Sequence, residues 1–179
     1  MVAIENIKPG DMVYAADAET LEVSTKQVLE TYIRETSSLV HLTISGENII
    51  STYDHPYYVK DKGFVSAEAL WIGAELIDKN GNVVLVEQLY RENLGDESVK
   101  VYNFQVEDYH TYFVGLNTIL VQNSNCRLIQ NSDGSYDAEL SYKEGWTPEQ
   151  RAQADAKCKA LSDAYTVKTN VAGKRNGTK

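Results

Sequence analysis

The pattern His-x-Tyr-aromatic-Val occurs twice in this chain, at His55-Pro56-Tyr57-Tyr58-Val59 and at His110-Thr111-Tyr112-Phe113-Val114, each with an aspartate just upstream, Asp54 and Asp108. Other matches follow the same order. Val28-Leu29-Glu30-Thr31-Tyr32-Ile33-Arg34-Glu35 resembles Leu85-Val86-Glu87-Gln88-Leu89-Tyr90-Arg91-Glu92, and Leu39-Val40-His41-Leu42-Thr43-Ile44 resembles Val101-Tyr102-Asn103-Phe104-Gln105-Val106. Ile7-Lys8-Pro9-Gly10-Asp11-Met12-Val13 has a weaker echo in Leu70-Trp71-Ile72-Gly73-Ala74-Glu75-Leu76. Spacings that differ by a few residues between pairs are what loop insertions in a duplicated unit produce. Residues 1–123 are therefore expected to form two related halves.

Both halves read as β structure. Lys8-Pro9-Gly10-Asp11 is a turn, because Pro fixes φ at its first corner and Gly accepts the positive φ of the second. Apolar and polar residues roughly alternate over Val23 to Arg34 and Leu39 to Ile44, with many β-branched and aromatic types, as half-buried strands require. Further strands are expected at Met12 to Ala15, Asn48 to Thr52, Tyr57 to Lys60, Phe64-Val65, Val83 to Tyr90, Val99 to Glu107, Thr111 to Val114 and Ile119 to Gln122. Ser45-Gly46-Glu47-Asn48 and the Asn80-Gly81 pair mark hairpin turns, and Ser66 to Leu70 fits one helical turn. The body is all-β.

After Asn125 the texture changes. Ser132-Asp133-Gly134-Ser135 reads as a turn within a linker over residues 124–146. Thr147-Pro148-Glu149-Gln150 then offers an N-cap, a Pro at the first helical position and a Gln able to close a capping box. A helix from Pro148 to about Ala164 is expected, opening a small helical module over residues 147–179. Its apolar positions, Ala152, Ala156, Ala160, Leu161 and Ala164, are small and bury little.

Charge divides the chain at the same place. Residues 1–125 carry 8 Lys/Arg against 19 Asp/Glu, and residues 126–179 carry 9 against 7. An acidic body argues against nucleic-acid binding by that body. No apolar run approaches the roughly 20 residues that span a bilayer, and no signal peptide opens the chain, so no membrane contact is expected. Cys126 and Cys158 lack CxxC spacing and a neighbouring His, which speaks against a metal site and is read as two unpaired thiols. No cofactor is called for.

The chemistry gathers around the two histidines. Thr52-Tyr53-Asp54-His55 is a Thr-x-x-His at the end of a strand, His110 follows the next long strand, and Gln122-Asn123 closes the β body just before the composition shift. Together with Ile4-Glu5-Asn6-Ile7-Lys8-Pro9-Gly10-Asp11, the block Val101 to Gly115, and Ile119-Leu120-Val121-Gln122-Asn123, this arrangement resembles the HINT superfamily of hedgehog and intein self-processing domains, and its pretoxin branch in bacterial polymorphic toxins. The resemblance covers about residues 2–123. It implies a twisted β horseshoe with pseudo-twofold symmetry, which would account for the duplication, followed by a short helical tail.

What the resemblance implies for chemistry is autoproteolysis. His55 would protonate a departing amide nitrogen and Thr52 would polarise the strained carbonyl. His110 would assist the Asn123 side-chain amide in attacking its own backbone carbonyl, forming a succinimide and freeing a new N-terminus at Ser124. An amide is a poor nucleophile, so this step depends on proximity and proton transfer. His41, inside an alternating strand, is read as a packed strand residue. The Tyr-aromatic pairs after each His are read as core.

Three positions depart from the family's pattern. Its nucleophile lies in a first strand ahead of Ile4 to Asp11, where this chain has Met1-Val2-Ala3 and no Cys, so an N-terminal acyl shift is not expected. Gln122 stands where a His usually precedes the terminal Asn, and Gln donates a hydrogen bond but delivers no proton. Asn103 stands where inteins usually carry Asp. Cleavage at Asn123-Ser124 is accordingly expected to be slow.

Gly145 to Lys157 resembles the leading segment of HNH-nuclease-type toxin domains, but no His follows His110 to hold the metal such a nuclease needs. The resemblance implies a bacterial toxin, secreted or at the cell surface, with a delivery region N-terminal to the domain and a C-terminal toxin in cis. Two functions compete at this stage: a self-processing domain that releases the toxin, and a non-catalytic scaffold of the same ancestry that links delivery region to toxin.

Overall fold

The computed structural model of the chain describes residues 2–123 throughout and, beyond them, 126–130, 133, 135–140, 147–149, 151–153, 155, 156, 158, 159 and 163. Two compact units divide at Asn123, Met1–Asn123 and Ser124–Lys179.

Unit 1 runs through β1 (Met12–Ala16), β2 (Val23–Thr36), β3 (Ser38–Ile44), β4 (Glu47–Thr52), β5 (Pro56–Val59) and β6 (Gly63–Ser66). It continues through β7 (Glu75–Ile77), β8 (Val83–Asn93), β9 (Val99–Val106), β10 (Thr111–Val114) and β11 (Ile119–Gln122). Short 3-10 turns lie at Ile4–Asn6 and Ala67–Ala69. The all-β expectation holds.

The duplication is visible in the hydrogen bonds. Gly10 N–H donates to Val28 O at 2.8 Å and Val28 N–H to Asp11 O at 2.8 Å, while Gly73 N–H donates to Val86 O at 2.7 Å and Val86 N–H to Ala74 O at 3.0 Å. Gly10 and Gly73 both adopt positive φ, +97° and +85°, at the same point of the two turns. The register also moves the sequence alignment by one residue: Val28 corresponds to Val86, not Leu85, which places Tyr32 opposite Tyr90 across the symmetry. A one-residue bulge in each strand, at Leu29 and Glu87, falls at the same place.

The halves are interlocked rather than stacked side by side. By the repeat, β2 corresponds to β8 and β3 to β9, yet β2 pairs with β9 and β8 with β3. Each long strand takes its partner from the other half. Likewise β1 lies against β2 as β7 lies against β8. The core between them holds Val40, Leu42 and Ile44 from β3, Phe104 and Val106 from β9, and Tyr57 and Tyr112, which are 0% and 1% exposed. Of the aromatic pairs read as core, Tyr57 and Tyr112 are buried, while Tyr58 and Phe113, one residue on and so on the opposite strand face, are half-buried.

His41 is the packed strand residue expected of it. Its ring stacks on Tyr90 at 4.2 Å, and its Nε2 lies 2.7 Å from Glu92 Oε2.

In unit 2 the stretch read as a linker contains an antiparallel hairpin, β12 (Cys126–Gln130) with β13 (Tyr136–Leu140). Helical backbone follows at 148–149, 151–153, 155–156, 158–159 and 163, opened by Arg151 N–H donating to Thr147 O at 3.0 Å. The reading of two unpaired thiols is overturned: Cys158 is disulfide-bonded, and no described cysteine is free. A small unit with a thin apolar stripe has little core of its own, and a covalent staple is the usual remedy.

Candidate functional site

Asn123 is buried at 7% exposure, and its side chain is held by Asn103. Asn103 Oδ1 accepts from Phe104 N–H at 2.8 Å and from the Tyr112 hydroxyl at 2.8 Å, so its amide nitrogen faces away from those donors. That Nδ2 donates to Asn123 Oδ1 at 3.0 Å. Burial pushes the Tyr112 phenol above its ordinary value, which keeps it a protonated donor. The orientation of Asn103 is thereby fixed by chemistry, since two donors require an oxygen.

His110 meets Asn123 through the backbone: Asn123 N–H donates to His110 O at 2.8 Å. His110 sits at φ +55°, a left-handed conformation uncommon for a side chain of this size, and β10 starts at the next residue. The β10–β11 hairpin pairs Thr111 with Gln122, so His110 and Asn123 are adjacent at its open end. Gln122 lies on β11 directly before them.

Strand β2 contributes a face that the sequence reading did not identify as functional. Beyond its bulge Glu30 pairs with Gln105, Tyr32 with Asn103 and Arg34 with Val101, so Glu30, Tyr32 and Arg34 share one side with Asn103 and Gln105. The Tyr32 hydroxyl donates to Glu30 Oε2 at 2.6 Å. The Gln105 amide lies between this pair and the histidine, 3.3 Å from the Tyr32 hydroxyl and 3.5 Å from His110 Nδ1. Burial, then the bond to Glu30, holds the Tyr32 phenol well above its ordinary value.

At the far end of the same face, Arg34 Nη2 donates to Thr52 Oγ1 at 3.0 Å and to Asp54 at 2.7 and 3.0 Å. Burial alone would raise the Asp54 carboxyl, but the Thr52 hydroxyl and Arg34 outweigh it and hold the carboxyl below its ordinary value. His55 N–H bonds Thr52 O at 3.3 Å, and the imidazole lies edge-on to Tyr57 at 5.6 Å and tilted against Tyr112 at 6.2 Å. Burial among these rings pushes its pKa down to about 4, with Asp54 raising it and Arg34 lowering it. The imidazole is neutral at physiological pH.

The structure therefore brings Asn103, His110, Gln122 and Asn123 to one end of the site and gathers Thr52 and His55 in the Arg34–Asp54 cluster. Ser124 lies outside the described residues. The signal for the missed residues was present: Glu30, Tyr32 and Arg34 are polar at i, i+2 and i+4 of a strand, a polar face in need of partners. Chemically, a donor on Asn123 Oδ1 eases loss of an Nδ2 proton, because the negative charge of the resulting imidate builds on that oxygen.

Known proteins share this fold. The solution structure of a bacterial intein-like domain from Clostridium thermocellum is 59% identical, covering 68% of this chain and 88% of that one, with a TM-score of 0.65. A DnaB intein from Synechocystis, 17% identical over 69% of this chain and 86% of its own, shows the same fold with a TM-score of 0.58. An uncharacterised protein of Methanocaldococcus jannaschii is 28% identical over 119 residues, 63% of this chain, which spans 16% of that relative's length. Residues 1–125 match the pretoxin HINT domain family. The chain belongs to that family, and its first unit is a self-processing-type domain with the intein fold.

Proposed function

We propose that unit 1 cuts the chain after Asn123 by cyclisation of the Asn123 side chain, releasing the segment that follows. The observation that carries this reading is the 3.0 Å bond from Asn103 Nδ2 to Asn123 Oδ1. In the reaction Asn123 Nδ2 bonds to the Asn123 backbone carbonyl carbon, and the peptide bond to Ser124 breaks. One proton leaves Nδ2 and one arrives on the Ser124 amine. We assign the proton transfer to His110, whose backbone carbonyl accepts from Asn123 N–H, and stabilisation of the imidate to Asn103.

Gln122 limits the rate, because it offers a hydrogen bond where a titratable ring would offer a proton. The segment released is a toxin in cis, and a delivery region lies N-terminal to the domain in the whole protein; family membership supports both. The Cys158 disulfide supports a secreted or cell-surface setting, since disulfides persist in oxidising compartments. Among the described residues no helix is long and apolar enough to cross a membrane. Thr52 and His55 match the family's motif for the bond upstream of the domain, but with Met1-Val2-Ala3 ahead of them no acyl shift is proposed, and the neutral His55 imidazole is read as a hydrogen-bonding group and not as an acid.

Intact-mass spectrometry of the purified chain over several days at neutral pH, beside Asn123→Ala, tests the reading. A fragment ending at residue 123, one water lighter than its hydrolysed form and missing from the variant, is the expected result. An unchanged mass in the wild type, and again after Gln122→His, would favour a non-catalytic scaffold joining delivery region to toxin.

A further inference from the structure

The Thr-x-x-His block carries a charge that the sequence pattern leaves unexplained. Asp54 immediately precedes His55, and a carboxylate beside an imidazole favours its protonated form. Asp108 stands two residues before His110, with Tyr109 between them, and β2 answers both carboxylates. Lys26 Nζ pairs with Asp108 Oδ2 at 2.8 Å, as Arg34 pairs with Asp54. The two cations differ in kind. Lys26 Nζ meets one carboxylate oxygen, whereas one guanidinium nitrogen, Arg34 Nη2, meets the Thr52 hydroxyl and both Asp54 oxygens.

We infer that Arg34 is a positioning residue for His55: its Nη2 joins the Thr52 hydroxyl to both oxygens of Asp54, fixing the turn that presents the imidazole and cancelling the negative charge beside it. This assignment deepens the proposed processing site and rests on His55 belonging to it, but its test does not depend on cleavage.

The other groups around the imidazole do not supply this balance. Tyr57 and Tyr112 present ring carbon to it. Glu68, on the 3-10 turn whose Ala67 N–H bonds His55 O at 2.8 Å, has its own counter-ion in Arg91, which also donates to the Glu68 carbonyl. Asp54 and Arg34 are the charges that act on His55, in opposite directions. Nor is the pair a source of bulk stability. Arg34 and Asp54 are 56% and 41% exposed, and an ion pair so solvated contributes little to folding. Its consequence is local.

The experiment is an NMR titration of the three histidine rings in the whole chain, comparing wild type, Arg34→Gln, Arg34→Lys and Asp54→Asn. Arg34→Gln leaves Asp54 uncompensated and raises the His55 midpoint by about half a unit to one unit; Asp54→Asn leaves Arg34 unpaired and lowers it. Arg34→Lys, which keeps the charge on a differently shaped side chain that must rebuild the Nη2 contacts, falls between wild type and Arg34→Gln. Opposite shifts from the two charge removals cannot come from general loosening of the fold. A His55 midpoint unmoved by Arg34→Gln, or moved the same way by Arg34→Gln and Asp54→Asn, overturns the assignment.

Discussion

At the scale of single residues, the site combines the hydrogen-bonded chain Tyr112–Asn103–Asn123 with one imidazole whose pKa is pushed down. Between pH 6.5, where a free imidazole takes its proton, and about 4, where the buried His55 does, the unfolded chain binds a proton that the folded one does not. The His55 contribution is therefore intact above pH 6.5 and is lost progressively as pH falls to 4, by up to about 3 kcal/mol. Urea denaturation of wild type and His55→Gln across that window should show a flatter acid limb in the variant. Asn103→Ala strips the acceptor from the buried Tyr112 hydroxyl and the donor from Asn123. It should cost about 1–3 kcal/mol of stability and slow appearance of the residue-123 fragment by about tenfold or more, read in the same mass assay. Thr52, His55, His110 and Asn123 stand out in the sequence as candidates because each occupies a short motif. Arg34, Tyr32 and Gln105 were not, because their partners lie across strands, 18 residues apart for Arg34 and Thr52 and 73 for Tyr32 and Gln105.

Among the elements, the β10–β11 hairpin has His110 and Asn123 at its open end and is pinned at its closed end. Glu47, at the start of β4, accepts from Leu116 N–H at 2.8 Å, from Asn117 N–H at 3.2 Å and from Asn117 Nδ2 at 3.1 Å. Gly115 makes room for it: a Cβ there would sit 2.9 Å from both Glu47 Oε2 and Ile49 Cδ1, at φ +73°. Gly115→Ala should therefore cost about 1–3 kcal/mol in chemical denaturation. Adding Glu47→Ala removes part of the clash, so the double variant should lose less than the sum of the two. Strands β10 and β11 were read from sequence to the residue, since apolar runs between turn signals are unambiguous. The β3–β4 turn is tighter than expected: Ser45 and Gly46 alone take positive φ, and Glu47 already pairs with Ile44. Strand β7 was missed because its three residues, Glu75–Ile77, are too few to show a period. The strands of unit 2, Cys126–Gln130 and Tyr136–Leu140, were missed because the whole of residues 124–146 was read as a linker, although a turn was read between them.

For the whole of unit 1, the exchange of strands means that neither half holds a complete sheet. Residues 1–66 and 67–123 expressed apart should each lack the circular dichroism and amide dispersion of a folded β protein, and mixing them should restore both. Folding of either fragment alone would show that the repeat is two domains, contrary to the pairing of β2 with β9 and β8 with β3. The sequence revealed that two halves exist, through Tyr57 and Tyr112 and the matched turns. It could not reveal that they trade partners, because a repeat records what each segment is and not which copy it touches. The exchange also sets a timetable for the nascent chain. Strand β2 is synthesised first, yet the strand it pairs with across positions 28–36 is completed only at Val106. Ladders between such distant segments form late and slowly, so the polar face of β2 leaves the ribosome with nothing to hold. By the time Asn103 can reach Asn123, every strand of the first unit has been translated, and a chain stalled before that point carries no assembled site with which to cut itself.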